Sequence, residues 1–317
     1  MDAYQFGRIP TKPTAQICYR FDRAPQTPDP HLLVFVNGLG LPQVGWGPTI
    51  SGLKELRKAA VLPHILTYDR FGQGLTTDRD PEDVSASDAS HGHDCLSAVK
   101  DLRQLVATIA KTELELSETD NIPLILVANS IGCAIARLYA QEYPGTIAGL
   151  LLLDSVLANS DFISIYPDPD ADGFDTNSLP DGITSDALRS CRESVRKVFH
   201  PSVGSREGLS RKNLSVLLPA SDSPVLEGPG LRGPWVTVVG HDFETFAEES
   251  EKMGHPRLLT QTYVNPYWHA YNQGLVKITE AGKSKGPLQA PNAGHFVQRD
   301  NPDFVAKELN ELLSKIM

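Results

Sequence analysis

The sequence has few cysteines and no long apolar run. Its four cysteines are Cys18, Cys95, Cys133 and Cys191, and no two of them form a C-x-x-C pair. Thiols scattered in this way through 317 residues are typical of buried side chains rather than of a disulfide framework. No uninterrupted apolar stretch approaches the roughly 18 residues of a bilayer-spanning helix. The polar N-terminal stretch lacks an apolar core of signal-peptide length, so we expect a cytoplasmic protein.

Positive charge is also scarce. The chain has 29 Lys and Arg against 39 Asp and Glu, a formal net charge of −10, and no dense run of basic residues. Nucleic acid and anionic membranes repel such a chain, which argues against both as main partners. We therefore expect a small-molecule substrate as the partner. No motif implies a cofactor, and homodimer formation is left open.

Short apolar runs alternate with helical patterns along the chain. A short strand is predicted near 17–21, and a Pro-rich stretch, 24–30, separates it from the next one. Buried strands are predicted at 32–36, 64–68, 123–127, 150–153 and 235–239, and the last strand at 275–278 or near 287–290. Amphipathic helices are predicted at 95–111, at 131–143 and from 302 onward. This alternation predicts an α/β fold with a mostly parallel sheet covered on both faces.

The segment 155–233 breaks this rhythm. Pro, Gly, Ser and Asp dominate it, with helix-like patches at 185–199 and 206–218. Because it follows the end of a predicted strand, we interpret it as a cap over the site, inserted between core residues 1–154 and 234–317. The apolar cap residues Leu209, Leu214, Val216 and Leu217 are expected to set the preference for acyl chain length.

The residues around Ser130 are typical of a nucleophile on a strand-to-helix turn. Such a turn is tight, and it needs small residues two places before and after the nucleophile; here these are Ala128 and Gly132. Ser130 would then lie at a helix N-terminus, where free N–H groups favour a developing oxyanion. The alternative is an ordinary serine N-cap.

The best candidate for the general base is His295. It is the last histidine of the chain, in A-G-H-F at 293–296, and precedes the final helix, as the order serine, acid, histidine requires. Three carboxylates are candidates for the acid of the triad. We favour Asp242, directly after the strand at 235–239, over Glu244 and then Asp154. Each of these carboxylates has the alternative of a solvated loop residue or a helix N-cap.

An oxyanion hole is predicted from backbone N–H groups. The N-G-L-G motif at 37–40 follows a buried strand, and its glycines allow the chain to turn towards the serine. We expect the N–H of Leu39 to act together with that of Ile131. A plain strand-ending turn is the alternative for this motif.

Together these motifs resemble the α/β-hydrolase superfamily, in its branch of esterases, lipases, thioesterases and proline iminopeptidase-like enzymes, fungal members included. The shared motifs are N-G-L-G at 37–40, D-R-F-G-Q-G at 69–74, A-N-S-I-G at 128–132, L-L-L-L-D-S at 150–155, V-V-G-H-D at 238–242 and A-G-H-F at 293–296. The resemblance covers residues 16–317 except the cap and implies an α/β-hydrolase fold. The family usually has His where Asn37 stands, and its acid usually lies three residues after the glycine, whereas Asp242 lies two after Gly240.

These candidates predict a serine hydrolase that cleaves an ester, thioester or lactone through an acyl-enzyme. Ser130 is incompatible with the Asp nucleophile of dehalogenase and epoxide hydrolase relatives. Two alternatives remain open. One is use of the same site by a lyase or cyclase in small-molecule biosynthesis, and the other is a ligand-binding receptor that retains the triad.

Two other motifs contain metal-ligating residue types. D-x-D-x-D-G at 168–173 repeats the first half of a calcium loop, but Leu179 occupies the twelfth position, where a bidentate Glu belongs. We interpret it as an acidic exposed loop. H-G-H-D at 91–94 precedes a predicted helix and is interpreted as a helix start assisted by Asp94.

Overall fold

The computed structural model describes residues 3–24, 31–116 and 122–317. Residues 25–30 of the Pro-rich stretch lie outside this part. The strands of the described chain are β1 (Gln5–Ile9), β2 (Lys12–Asp22), β3 (Leu32–Val36), β4 (His64–Tyr68), β5 (His93–Asp94), β6 (Leu124–Asn129), β7 (Ile147–Leu153), β8 (Leu209–Ser210), β9 (Trp235–Gly240) and β10 (Ser284–Gln289).

The α-helices of the described residues lie between and after these strands. They are α1 (Gly47–Leu56), α2 (Pro81–Ser85), α3 (Cys95–Glu113), α4 (Ile131–Glu142), α5 (Ser185–Phe199), α6 (Leu214–Leu217), α7 (Phe243–Lys252), α8 (Arg257–Leu259), α9 (Asn265–Leu275), α10 (Val297–Asp300) and α11 (Pro302–Ile316). A π-helical turn, Thr260–Val264, joins α8 to α9. None of the described helices is long and apolar enough to cross a membrane.

Eight of the described strands form one sheet, in the order β1-β2-β4-β3-β6-β7-β9-β10. The first two pairings, β1 with β2 and β2 with β4, are antiparallel, and the remaining ones are parallel. The carboxyl ends of the parallel strands therefore lie along one edge, with β6 and β7 in the middle of the parallel part of the sheet. This confirms the predicted α/β-hydrolase fold with a mostly parallel sheet.

The core lies on both faces of the sheet. Along β3 the side chains alternate, so that Leu32 and Val34 pack on one face and Leu33 and Phe35 on the other. The first face is covered by α3 and α4, and the second by α1 and α11. Because both faces are covered, the central strands have the nearly continuous apolar sequence from which they are predicted.

The structure corrects two of the predicted elements. The last strand is β10, near the second of the two predicted positions; residues 275–278 end α9 and form the turn after it. Of the helix-like patch 206–218, only α6 is helical, and the short strand β8 precedes it. Leu209 and Leu214, two apolar residues of this patch, are both buried. Their spacing in the sequence therefore reflects packing against the core rather than a helix.

The segment 155–233 pairs with the core in a two-stranded sheet that is separate from the main one. Strand β8 of the segment pairs in parallel with β5 of the core, with Leu209 opposite His93. It also contributes α5, whose buried side chains Leu188, Cys191 and Val195 join the core on the α3 and α4 face. The segment is therefore packed onto the core through backbone pairing as well as through side chains.

Candidate active site

Ser130 lies on the turn between β6 and α4. Its backbone has φ 56° and ψ −123°, a conformation that L-residues rarely adopt. A Cβ at Gly132 would lie 2.4 Å from the carbonyl oxygen of Val36, so no side chain fits there. The strained turn holds the Ser130 hydroxyl at the carboxyl edge of the sheet, as the sequence pattern predicts.

His295 reaches Ser130 from the loop that follows β10. Its Nε2 lies 2.9 Å from the Ser130 Oγ. The loop is fastened by Asn129, whose Nδ2 donates to the carbonyl oxygens of His295 and Leu153, each at 3.0 Å. The residue that precedes the serine thus holds the backbone of the histidine.

Asp154, at the end of β7, is the carboxylate that contacts His295. Its Oδ2 lies 2.6 Å from the His295 Nδ1, and its side chain is fully buried. Burial alone would raise the pKa of Asp154, but the charges and hydrogen bonds of His241 and His295 outweigh it and lower the pKa from 3.8 to about 2. The carboxyl group is therefore ionised at neutral pH, and a hydrogen-bonded chain runs from Asp154 through His295 to Ser130.

The prediction that Asp242 contacts His295 is wrong. Its Oδ1 instead accepts hydrogen bonds from the backbone N–H groups of Glu244 and Thr245, at 3.1 and 3.0 Å, and so caps α7. The physical reason is the alternation of side chains along extended backbone. His241 points at Asp154, so the next residue points away. The first alternative, Glu244, pairs with Arg257 and Gln261, and the second, Asp154, occupies the acid position.

The predicted oxyanion-hole residues lie beside Ser130. Leu39, Ser130 and Ile131 line one cavity, and a Cβ at Gly38 would lie 3.4 Å from that of Ser130. In the described chain, no acceptor is found for the N–H of Leu39 or of Ile131. Two backbone donors beside a hydroxyl can stabilise an oxyanion that forms on an attacked carbonyl.

Asn37, which stands where the resembling family usually has His, has a structural role. Its Nδ2 donates to the carbonyl oxygen of Tyr68 at 2.8 Å and to Gln73, and its Oδ1 accepts from the indole N–H of Trp46 at 2.7 Å. These bonds tie the end of β3 to the turn after β4. The side chain of Asn37 is buried and hydrogen-bonded to Tyr68, Gln73 and Trp46.

The cavity above Ser130 has a volume of about 550 Å³. Apart from Ser130 and His295, most of the side chains that line it are apolar: Leu39, Val156, Phe162, Ile165, Val195, Val198, Phe199, Phe246, Met253, Val264, Trp268 and Phe296. Part of this lining comes from 155–233 and part from α7 to α9. The expectation for Leu209, Leu214, Val216 and Leu217 is not met, because none of the four lines this cavity.

The sequence analysis missed several residues at this site. Asn129, His241 and Trp268 each contact a member of the hydrogen-bonded chain or its loop. Asn129 stands in the A-N-S-I-G motif directly before Ser130, and His241 stands in the V-V-G-H-D motif directly before Asp242. Their position next to predicted site residues is the signal in the sequence that could have found them. Glu207, which accepts a hydrogen bond from the N–H of Gly40 at 2.9 Å, has no such signal in the sequence.

The metal-ligating residue types have other partners. Asp168 pairs with Arg192 at 3.0 Å and Asp170 with Arg189 at 2.6 Å. The Oδ1 of Asp94 accepts from the backbone N–H of Ser97 at 2.9 Å, so it caps α3 as predicted. The described residues contain no group of three or more His, Cys, Asp or Glu side chains that could hold a metal ion.

Similarity to solved structures extends over the whole fold at low sequence identity. A loop variant of the haloalkane dehalogenase DbeA from Bradyrhizobium elkanii has a TM-score of 0.59 and 13% identity, covering 99% of this chain and 97% of that one. A thermophilic esterase from Thermogutta terrifontis has a TM-score of 0.56 and 15% identity, covering 99% of both chains. An enol-lactonase from Burkholderia xenovorans has a TM-score of 0.54 and 16% identity, covering 98% of this chain and all of the other.

Sequence comparison gives the family directly. No curated protein matches this sequence. The model of the alpha/beta hydrolase family, in contrast, matches residues 33–308, which include Ser130, Asp154 and His295. The chain belongs to the alpha/beta hydrolase family.

Proposed function

We propose that this protein is a serine hydrolase that cleaves an ester, thioester or lactone of an apolar substrate through an acyl-enzyme. The single observation that carries the proposal is the position of His295, which bridges the hydroxyl of Ser130 and the buried carboxylate of Asp154 at 2.9 and 2.6 Å. Position 130 is a serine, so the chain lacks at this position the aspartate nucleophile of dehalogenases and epoxide hydrolases.

In the proposed reaction His295 takes the proton of Ser130 as Oγ attacks the carbonyl carbon. The N–H groups of Leu39 and Ile131 stabilise the negative charge on the carbonyl oxygen. Asp154 holds the imidazole in the tautomer that leaves Nε2 free to accept a proton, and it stabilises the imidazolium that forms. His295 then protonates the leaving group, and water attacks the acyl-enzyme with His295 again as the base.

The cavity supports a substrate with an apolar acyl or alcohol part. Its volume of about 550 Å³ is in the range of small-molecule pockets, and its side chains offer burial rather than many polar contacts. We infer that 155–233 is a cap on the core formed by 1–154 and 234–317. Its residues Phe162, Val195 and Phe199 line the cavity, whereas Ser130, Asp154 and His295 lie in the core.

The proposal is tested with a fluorophosphonate probe, whose phosphorus accepts an activated serine Oγ as fluoride leaves. Mass spectrometry of the digested protein should locate the label on Ser130. Ser130→Ala should abolish the label and lower ester turnover by several powers of ten. Ser250→Ala is the matched control, because Ser250 lines the same cavity and donates only to the carbonyl oxygen of Phe246.

Two outcomes would contradict the proposal. One is labelling that persists in Ser130→Ala, or retention of more than about a tenth of the wild-type turnover. The other is a labelled Ser130 without turnover of any ester in a series of graded acyl length. That result would favour the lyase, cyclase or receptor use of the site.

A further inference from the structure

A second histidine contacts the carboxylate of Asp154. His241 directly follows β9 and is 1% exposed. Its Nδ1 lies 2.9 Å from Oδ1 of Asp154, and its backbone N–H donates to the same oxygen at 3.2 Å. Since His295 contacts Oδ2, each oxygen of this buried carboxylate has an imidazole of its own.

The other ring nitrogen of His241 also faces an acceptor. Its Nε2 lies 3.2 Å from Oδ1 of Asn265. The orientation of this amide is fixed, because its Nδ2 donates to the carbonyl oxygen of Phe243 at 3.0 Å. A flipped amide would place two oxygens against each other. Both ring nitrogens of His241 therefore have to donate, and only an imidazolium has two donors.

The surroundings of His241 suit a cation. Its ring stacks on Phe246 with centroids 4.0 Å apart at 20°, and it meets Trp268 edge-on at 5.5 Å. The face of the Phe246 ring attracts a cation, and the carboxylate of Asp154 supplies the opposite charge. Among the described residues that hydrogen-bond to His241 or make a ring contact with it (Asp154, Asn265, Phe243, Phe246 and Trp268), Asp154 is the one titratable group, and His295 lies on the other side of its carboxylate. Cys133 is close enough to Asp154 to interact with its charge, but burial raises the pKa of the Cys133 thiol, so the thiol stays neutral and adds no charge.

We propose that His241 is a positioning residue that stays protonated on both ring nitrogens, fixes Asp154 from the side opposite His295, and offsets part of its negative charge. The effect on catalysis rests on the proposed hydrolase function. A positive charge beside Asp154 opposes a second one on His295. His295 therefore remains a neutral base at lower pH than it would with Asp154 alone, and activity extends further into the acid range.

The charge is tested directly by nitrogen-15 NMR of the histidine rings, which needs no substrate. The signals of His241 are assigned by their loss in His241→Asn. We expect both of its ring nitrogens to show bound protons at pH 7. A single bound proton on the ring at that pH would overturn the proposal whether or not the protein hydrolyses esters.

The effect on the site is tested by the pH profile of kcat/KM. Asn at position 241 places its Nδ2 near the position of the imidazole Nδ1, so it retains a donor to Asp154 and removes the charge. We expect the acid limb to move up by about one pH unit, because two positive charges that share one carboxylate still repel each other at an effective dielectric constant near 20. Asn265→Leu, which removes the acceptor at Nε2, should move the limb in the same direction.

The control is His269→Asn, on the same helix as Asn265. His269 makes an edge contact with Phe243 and has no carboxylate partner among the described residues. The acid limb of the kcat/KM profile of His269→Asn should therefore stay in place. A fall in kcat of His241→Asn without movement of the acid limb would mean that the ring only fills space. That result would overturn the charge role.

Discussion

Arg70 and Glu207 form a buried ion pair, with Nε of Arg70 3.0 Å from Oε2 of Glu207. The guanidinium also donates to the carbonyl oxygens of Asn37 and Gly38 at 2.8 and 3.0 Å, and Glu207 accepts from the N–H of Gly40. The pair therefore fastens the loop that presents Leu39 to the segment 155–233. A carboxylate of the inferred cap thus contributes to the geometry of the candidate oxyanion hole.

Glu207→Gln should destabilise the protein strongly, because it leaves Arg70 charged and buried without a counter-ion. We expect the free energy of unfolding to fall by about 3–5 kcal/mol, measured by urea denaturation, together with a loss of ester turnover. The double variant Arg70→Met, Glu207→Leu should recover part of the unfolding free energy without the turnover. Equal turnover in this double variant and the wild type would contradict a role for the pair in the oxyanion loop.

Asp154→Asn should lower turnover by about 10⁴-fold, because an amide in this position holds His295 in the wrong tautomer. Asp242→Asn should have little effect on turnover, since Asn is also a good N-cap and the side chain of Asp242 hydrogen-bonds only to residues of α7. Parallel kcat measurements on the two variants and Glu244→Gln decide the assignment. A larger loss in Asp242→Asn than in Asp154→Asn would return the acid to the position that the sequence favoured.

The low pKa of Asp154 makes stability depend on pH in the acid range. The pKa is about 2 in the folded state against 3.8 as its ordinary value, so the unfolded chain takes up the proton first as the pH falls. The stabilisation is present above about pH 4 and is lost between pH 4 and pH 2, by about 2–3 kcal/mol. Urea unfolding at pH 6, 4, 3 and 2 should show a steeper loss for the wild type than for Asp154→Asn. Parallel curves for the two proteins would contradict this linkage.

Enlarging the cavity should change the preference for acyl chain length. Phe199 lines the cavity and meets Phe162 at 6.1 Å between centroids. Phe199→Ala should raise kcat/KM for long-chain relative to short-chain esters by about 1–3 kcal/mol in transition-state free energy. Val216→Ala is the control, since Val216 is 78% exposed and lies outside the cavity lining. An unchanged ratio of long-chain to short-chain kcat/KM in Phe199→Ala would show that substrates bind elsewhere.

The sequence by itself determined most of the fold and two of the three members of the candidate triad. Strands buried on both faces have a continuous apolar sequence, and the helices between them have apolar residues at spacings of three and four. The turn at Ser130 is equally local, because the small residues that it needs lie two places away on either side. The place of His295 followed from its order in the chain. These features depend on neighbours in sequence, so the sequence contains them.

Only the tertiary structure decided which carboxylate meets His295 and what lines the cavity. Asp154 and Asp242 both follow a strand of the same sheet edge, and the sequence does not say which of them points inward. That depends on the order β6-β7-β9 and on the side-chain alternation that turns His241 towards Asp154 and Asp242 towards α7. The contact between Glu207 and the 37–40 loop joins residues 167 apart in the chain. Such long-range contacts arise from packing, which the local pattern of a sequence does not specify.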